Sequence, residues 1–214
     1  MKVNEIFATI EGETSLTGLP MLFVRFTGCP LRCTYCDTAY AYDKGTGMSV
    51  EKLIETIDTY GLSTVHLTGG EPLAQSKLPV LVGKLLEKNY QLVIETGGSL
   101  DIKPVTMEGV RIMLDIKTPG SGMDSRNCLS NLKQMRSRTD EFKFTLCHRK
   151  DYDWAVNFLE RHRLKETGCV INFSPVSPGL APAELADWIL KDRLPVRLNC
   201  QLHRFIWPDQ NRGV

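Results

Sequence analysis

No apolar run in this sequence approaches the roughly 20 residues that a membrane-spanning helix needs. Basic and acidic residues are nearly balanced, with a formal net charge of +1 and no block of Lys or Arg, so a nucleic-acid partner is not indicated. Internal repeats and low-complexity linkers are also missing from the sequence. A hydrophobic content of 42% argues against a disordered chain. We therefore expect a single domain over residues 1–214, long enough for a full core.

Cysteine is not distributed here as it is in small secreted proteins. The seven cysteines divide into a cluster of three and four scattered residues. A disulfide framework is typical of shorter secreted chains. We therefore expect the scattered cysteines to be reduced thiols in or near the core: Cys128, Cys147, Cys169 and Cys200. We also expect no signal peptide before Lys2 and a reducing, cytoplasmic location.

A fourth cysteine is missing from the cluster, in which Cys29, Cys33 and Cys36 have the spacing C-x3-C-x2-C. A closed zinc site or a complete [4Fe–4S] cluster normally takes four protein ligands. Three thiolates on a [4Fe–4S] cluster leave one iron open to a small molecule. The spacing alone leaves two other interpretations open: a zinc site completed by Asp37 or His66, and buried, inert thiols.

A second motif favours the cluster. The sequence Thr-Gly-Gly-Glu-Pro at residues 68–72 directly follows a short apolar run at residues 65–67. Glycines just past a strand let the backbone approach a ligand closely. The two motifs in this order resemble the radical S-adenosylmethionine (SAM) superfamily. The resemblance implies that the three clustered cysteines hold a [4Fe–4S] cluster, that SAM binds its open iron, and that SAM cleavage yields a 5′-deoxyadenosyl radical.

Hydrophobic periodicity predicts strands that alternate with helices along the chain. The predicted strands cover residues 2–8, 21–27, 63–67, 91–95, 111–116, 141–146, 168–173 and 196–202. The predicted helices cover residues 50–60, 78–88, 152–162 and 182–190, the first with Ser49 as its N-cap. This alternation indicates a parallel sheet, and ligands of such sheets bind at the carboxyl ends of the strands. We predict an α/β fold: a partial, reduced parallel β/α barrel of radical SAM type, with six core strands and fewer outer helices.

Further motifs along the whole chain resemble the 7-carboxy-7-deazaguanine synthase family. The more specific ones are Glu-Gly-Glu at residues 11–13, Cys-Asp-Thr at residues 36–38 and Gln-Leu-His at residues 201–203. The resemblance implies a lyase that rearranges 6-carboxy-5,6,7,8-tetrahydropterin to 7-carboxy-7-deazaguanine, with ring contraction and release of ammonia, in queuosine or other deazapurine biosynthesis. It also implies Mg2+ as a cofactor, a low-potential flavodoxin or ferredoxin as reductant, and a homodimer.

The substrate that the resemblance implies is a flat, polar heterocycle with a carboxylate. Arg25, within a predicted strand, could pair with that carboxylate through two N–H groups, or could form an internal ion pair. The acidic side chains at residues 11–13 could accept N–H bonds from the ring, or could form an exposed turn. The predicted substrate-binding residues are Ile10, Glu11, Gly12, Glu13, Arg25, Thr68 and His203.

Thr38 is by composition an ordinary polar loop residue, but the resemblance assigns its hydroxyl to Mg2+, which often binds one protein group together with substrate oxygens and water. For SAM, the resemblance implies the following residues: Tyr35, Cys36, Asp37, Gly70, Asp115, Ile116, Lys117 and Ser174. Residues 115 and 116 depart from the Ser-Pro pair that the family often has there. Eleven residues follow His203, so we assign no substrate contact to Val214.

The alternative interpretation is a glycyl-radical-activating enzyme. Such an enzyme shares both superfamily motifs but acts on a partner protein, for which it would need an open groove. It gives no reason for the motifs at residues 11–13 and 36–38 to occur together with Arg25.

Overall fold

The computed structural model of the protein describes residues 1–210 and 212–214, and its centre is one nine-stranded sheet. The strands are β1 (Lys2–Ile10), β2 (Pro20–Phe26), β3 (Thr46–Gly47), β4 (Thr64–Gly69), β5 (Gln91–Thr96), β6 (Val110–Ile116), β7 (Glu141–Leu146), β8 (Val170–Pro175) and β9 (Arg197–Leu198). Their order in the sheet is β3-β1-β2-β4-β5-β6-β7-β8-β9. Because the order runs from β3 at one edge to β9 at the other, the sheet is not closed.

The sheet is parallel from β2 to β9, whereas β1 pairs antiparallel with both β2 and β3. Six of the parallel strands have six or seven residues each, namely β2 and β4 to β8. These are the six predicted core strands. The predicted fold class, a partial parallel barrel of radical SAM type, is confirmed.

The α-helices are fewer than the strands, as predicted. They are α1 (Val50–Asp58), α2 (Leu78–Glu87), α3 (Arg149–Arg161), α4 (Pro182–Asp192) and α5 (Leu202–Ile206). Helix α1 begins where expected, because the Ser49 side chain accepts a hydrogen bond of 3.1 Å from the Lys52 backbone N–H. The two connections between β5 and β7 contain only short 3-10 turns in place of a helix.

Alternation along the strands decides which side chains reach the core and which reach the other face of the sheet. In β4, Val65 and Leu67 belong to the hydrophobic core, while the buried polar residues His66 and Thr68 lie between and after them. The same alternation applies at the end of β6. The Ile116 side chain packs in the core, whereas its two neighbours in the sequence, at positions 115 and 117, are buried charged residues. The inner face of the sheet is therefore polar near the strand ends.

Several boundaries differ from the predictions. The predicted strand over residues 196–202 is only β9, because the chain leaves the sheet and forms helix α5, which carries His203. Strand β1 continues to Ile10, two residues beyond its predicted end. The predicted thiol at Cys200 is not in or near the core but exposed. Within the described part of the chain, no helix has both the length and the apolar character that crossing a membrane requires.

Candidate active site

A cavity of about 690 Å3 opens at the carboxyl ends of the parallel strands. Its size is in the range of small-molecule sites, which is about 300–1,000 Å3. The cysteine loop, the turn after β1 and the ends of β4 to β8 all contribute to its lining. These separate segments converge on one face of the sheet, the end at which ligands of parallel sheets bind.

The cysteine loop follows β2 and packs against the turn that follows β4. Backbone N–H groups of Gly70 and Glu71 donate to the carbonyls of Phe26 (2.9 Å) and Gly28 (2.8 Å). A Cβ atom at Gly70 would lie 2.4 Å from the Gly28 carbonyl oxygen. Glycine is therefore required at position 70 because two backbones touch there.

All three cysteines of the loop line the cavity, and all are free. Burial raises the pKa of the Cys29 and Cys33 thiols, so without a metal they are protonated at neutral pH. Within residues 1–210 and 212–214, no three His, Cys, Asp or Glu side chains converge on a point where one ion would be held. Each cysteine of a [4Fe–4S] cluster binds a separate iron, and the three thiols of this one loop fit such a cluster with one iron left open.

The part of the cavity next to the cysteines contains unpaired polar atoms. The Tyr35 hydroxyl and Asp115 Oδ1 are buried and have no hydrogen-bond partner. The other Asp115 oxygen accepts a hydrogen bond of 2.7 Å from Lys117 Nζ. Ser174 also lines the cavity, and its Oγ accepts from the Asn199 side chain at 3.0 Å. Buried polar atoms without partners fit a bound polar molecule such as SAM.

Ile116 differs from the other residues predicted to contact SAM. Its side chain is 2% exposed, packs in the hydrophobic core and does not line the cavity. The cause is strand alternation, which directs Asp115 and Lys117 to one face and the residue between them to the other. The Ile116 side chain therefore does not belong to the site.

Arg25 also lines the cavity, and its guanidinium carbon lies 5.9 Å from the ring centroid of Phe7 and 6.0 Å from that of Tyr40. Its Nε donates to Glu5 Oε1 at 2.7 Å, and the Tyr40 hydroxyl donates to the same oxygen at 2.8 Å. Burial opposes the charged form, but Tyr40 and Glu5 nevertheless raise the pKa of Arg25. The internal ion pair thus exists, and it uses Nε, so the terminal guanidinium nitrogens remain for a ligand.

The turn at residues 11–13 packs against helix α5. Leu202 N–H donates to the Gly12 carbonyl at 3.2 Å, and a Cβ at Gly12 would lie 2.8 Å from the His203 ring nitrogen Nδ1. Ile10, Gly12 and His203 all line the cavity. The two predicted substrate-binding segments, from opposite ends of the chain, are therefore in direct contact.

The acidic side chains of this turn are engaged within the protein. Glu11 is 1% exposed; its Oε2 lies 2.6 Å from Nδ1 of His66, and its Oε1 accepts from the Glu13 N–H at 2.8 Å. Glu13 accepts hydrogen bonds from the side chains of Gln201 and Lys143. The Glu11 carboxylate is therefore not open to the cavity, and the turn is not an exposed acidic one.

Lys143 and Glu95 are charged residues of the cavity wall that the sequence does not predict as site residues. Lys143 is buried and donates to Glu13 and, at 2.9 Å, to Glu95 Oε1. Thr68 donates to the other Glu95 oxygen at 3.3 Å. The signal in the sequence was a lysine inside the apolar strand Glu-Phe-Lys-Phe-Thr-Leu, since a buried lysine normally has a charged partner. Its partners are distant in sequence, so local pattern could not identify them.

Thr38 and Asp37 lie where the cysteine loop ends, and both line the cavity. The Thr38 hydroxyl is 3.7 Å from Cys36 Sγ and makes no capping hydrogen bond to the short 3-10 turn that follows. Asp37 is exposed and accepts from Gln201 at 3.2 Å. The chain end also reaches the cavity, because Arg212 and Val214 are among the lining residues.

Comparisons with known proteins agree with this arrangement. The sequence-family model of the radical SAM superfamily matches residues 23–189 of this chain. The 7-carboxy-7-deazaguanine synthase of Chlorobaculum tepidum is 39% identical, over 100% of this chain and 97% of the relative. That of Koribacter versatilis is 36% identical over the full length of both proteins.

The chain belongs to the 7-carboxy-7-deazaguanine synthase family. It is therefore a radical SAM enzyme, which implies a [4Fe–4S] cluster and SAM. Among solved structures, the crystal structure of QueE from Escherichia coli has the same fold, with a TM-score of 0.75 at 24% identity over 94% of this chain and 93% of that one. The match to the synthases over the whole chain favours this family over the glycyl-radical-activating enzymes.

Proposed function

We propose that this enzyme rearranges 6-carboxy-5,6,7,8-tetrahydropterin to 7-carboxy-7-deazaguanine with release of ammonia. The observation that carries the proposal is one cavity in which the cysteine loop faces Arg25 and the turn at residues 11–13. The curated relatives of the same length bear the name of this activity. The cavity thus combines a place for the cluster and SAM with a cation for a carboxylate-bearing heterocycle.

The proposed roles of the residues follow from their positions. Cys29, Cys33 and Cys36 would hold the cluster. The residues proposed for SAM are Tyr35, Asp37, Gly70, Asp115, Lys117 and Ser174. When bound at these residues, the cluster and SAM would supply radical chemistry to the substrate. The protein's part is to orient the substrate against SAM and to exclude water from a buried cavity.

The decisive experiment is an anaerobic assay of reconstituted enzyme with the carboxypterin, SAM and a chemical reductant. Product and ammonia should form together with 5′-deoxyadenosine, and Mg2+ should stimulate turnover. Formation of 5′-deoxyadenosine without any deazaguanine product would contradict the proposed substrate. We further propose that residues 1–214 act as one radical SAM domain in a homodimer, reduced by a low-potential flavodoxin or ferredoxin.

Arg25→Lys is expected to raise the substrate KM by about tenfold to a hundredfold, since a charge-assisted hydrogen bond contributes about 1.5–3 kcal/mol. Lysine keeps the charge but loses the planar fork that pairs with a carboxylate, and it loses the Nε bond to Glu5. SAM affinity should stay at the wild-type value. Arg163→Lys is the matched control, because Arg163 is 75% exposed on the surface and pairs with Glu166. A KM unchanged in Arg25→Lys would remove Arg25 from the substrate site.

We propose that the Thr38 hydroxyl is the protein ligand of Mg2+, with the substrate supplying further oxygens. Thr38→Val keeps the shape of the side chain but removes the oxygen, so turnover and its stimulation by Mg2+ should both fall. Cluster content and SAM cleavage without substrate should stay near wild type, because Cys36 is unchanged. Thr38→Ser should keep most of the Mg2+ response. The measurement is turnover against Mg2+ concentration, and superimposable curves for wild type and Thr38→Val would rule out the ligand role.

A further inference from the structure

Glu95 lies in the cavity wall with each carboxylate oxygen facing a different buried basic side chain. Lys143 Nζ is 2.9 Å from Oε1, and His66 Nε2 is 3.7 Å from Oε2. The Glu95 side chain is 23% exposed, whereas that of His66 is 2% exposed. Glu95 is therefore the most exposed of these three cavity-lining side chains.

His66 and Lys143 each contact a second carboxylate besides Glu95. Both of these carboxylates come from the turn at residues 11–13. Glu11 pairs with His66 Nδ1 at 2.6 Å, and Glu13 accepts a hydrogen bond from Lys143. Because Glu11 also accepts backbone N–H bonds, its position is fixed. The turn at residues 11–13 thus supports His66 and Lys143, which in turn face Glu95.

The charges of this group keep Glu95 ionised. Burial alone would raise the pKa of Glu95, but Lys143 and His66 hold it far below its usual range. Burial would likewise lower the pKa of His66, yet Glu11 and Glu95 raise it, against a smaller opposing effect of Arg25. Glu11 and Glu95 therefore favour the doubly protonated imidazolium, in which Nε2–H is the donor on the side of Glu95.

We propose that His66, backed by Glu11, is a positioning residue that fixes the orientation of the Glu95 carboxylate toward the substrate. His66 Nε2 is buried and has no hydrogen-bond partner, and Glu95 Oε2 is the acceptor that it faces. The ring packs against Phe23 at an interplanar angle of 32°, with 4.4 Å between centroids, which limits its rotation. The inference rests on the proposed function, since the substrate is the carboxypterin.

Two substitutions at position 66 separate the two contacts of the imidazole. His66→Asn keeps an amide at the position of Nδ1, next to Glu11, but cannot reach Glu95. His66→Gln places an amide donor near the position of Nε2, within reach of Glu95. The measurement is equilibrium binding of the carboxypterin to reconstituted enzyme with SAM and without reductant, so that no turnover occurs. We expect the Kd to rise about tenfold or more in His66→Asn and by no more than about threefold in His66→Gln.

If the His66 side chain only filled space, the two variants would give a different result. Both variants would then lose thermal stability, the smaller Asn more than Gln, while the carboxypterin Kd stayed equal in the two. That result would overturn the inference. SAM affinity and iron content, measured in parallel, should match wild type in both. Failure of wild-type enzyme to bind the carboxypterin would instead contradict the proposed function, which keeps the two failures distinct.

Glu11→Gln provides a test that does not depend on the folding of the His66 variants. It keeps the shape of residue 11 but removes the anion that raises the pKa of His66, so that pKa should fall toward its ordinary value. Substrate affinity of Glu11→Gln should then improve as the pH falls from about 8 to about 6, because His66 regains its charge. Wild type should show a smaller gain over this range, since Glu11 raises the pKa of His66 in that protein. Parallel pH profiles for the two proteins would overturn the inference.

Discussion

Cys33→Ala is expected to abolish the [4Fe–4S] cluster and all SAM cleavage. Cys33 is one of three thiols on a single loop that lines the cavity, and no spare cysteine of the described chain lines it. With two thiolates left, a second iron would be open and the cluster would lose its attachment. The measurements are iron and acid-labile sulfide per chain, which should be about four each in reconstituted wild type, and 5′-deoxyadenosine formation.

The matched control is Cys169→Ala. Cys169 is half-buried like Cys33, but its Sγ lies 3.4 Å from the Arg136 carbonyl, away from the cavity lining. Iron content should therefore be unchanged in this variant. Normal SAM cleavage by Cys33→Ala would refute the cluster assignment, and loss of the cluster in Cys169→Ala would show that the ligands were wrongly assigned.

Lys143→Met should have the largest effect on stability. The substitution leaves two carboxylates, Glu13 and Glu95, without the cation between them, and their side chains are only 19% and 23% exposed. Removing one partner of a buried ion pair costs about 3–5 kcal/mol of unfolding free energy. Carboxypterin turnover should fall as well, because Glu95 loses the partner of its Oε1. Lys52→Met is the control, since Lys52 pairs with Glu55 on the surface and should contribute less than about 1 kcal/mol.

The pH dependence of Lys143→Met follows from the shifted pKa of Glu95. In wild type this pKa is held far below its usual range, so Glu95 stabilises the fold above its unfolded pKa and loses that contribution as the pH falls. In the variant, burial without Lys143 raises the pKa, and protonation relieves the cost of the buried charge. The difference in unfolding free energy between the two proteins should be widest near neutral pH and should narrow on acidification. A constant difference across the titration would contradict this account of Lys143.

The sequence predicts those parts of the site whose functional residues lie within one short continuous motif. The cysteine loop and the turn at residues 68–72 each contain their own signature. The order of strands and helices followed from periodicity, and so did the position of the motifs at strand ends. Because the strands pair in parallel, their carboxyl ends lie at the same edge of the sheet, and the predicted segments therefore lie close together.

The parts that could not be predicted depend on contacts between distant residues or on the side of a strand that a residue faces. The sequence indicates His66 only as a candidate zinc ligand, whereas its partner in the structure is Glu11, 55 residues away. Lys143 and Glu13 are 130 residues apart. Ile116 was grouped with its neighbours in a motif, although alternation places it on the opposite face. The residue pattern of one segment does not show which residue of a distant segment will be its hydrogen-bond or ion-pair partner.

The contact between the turn at residues 11–13 and helix α5 has a consequence for how the enzyme matures. During synthesis the three cysteines leave the ribosome well before residues 201–203, which contact Gly12, Glu13 and Asp37. A nascent or truncated chain can therefore present all three thiols before the wall opposite them exists. Delivery of iron and sulfide to such a chain would assemble a cluster open to oxygen and water. Loading after release of the complete chain avoids that exposure.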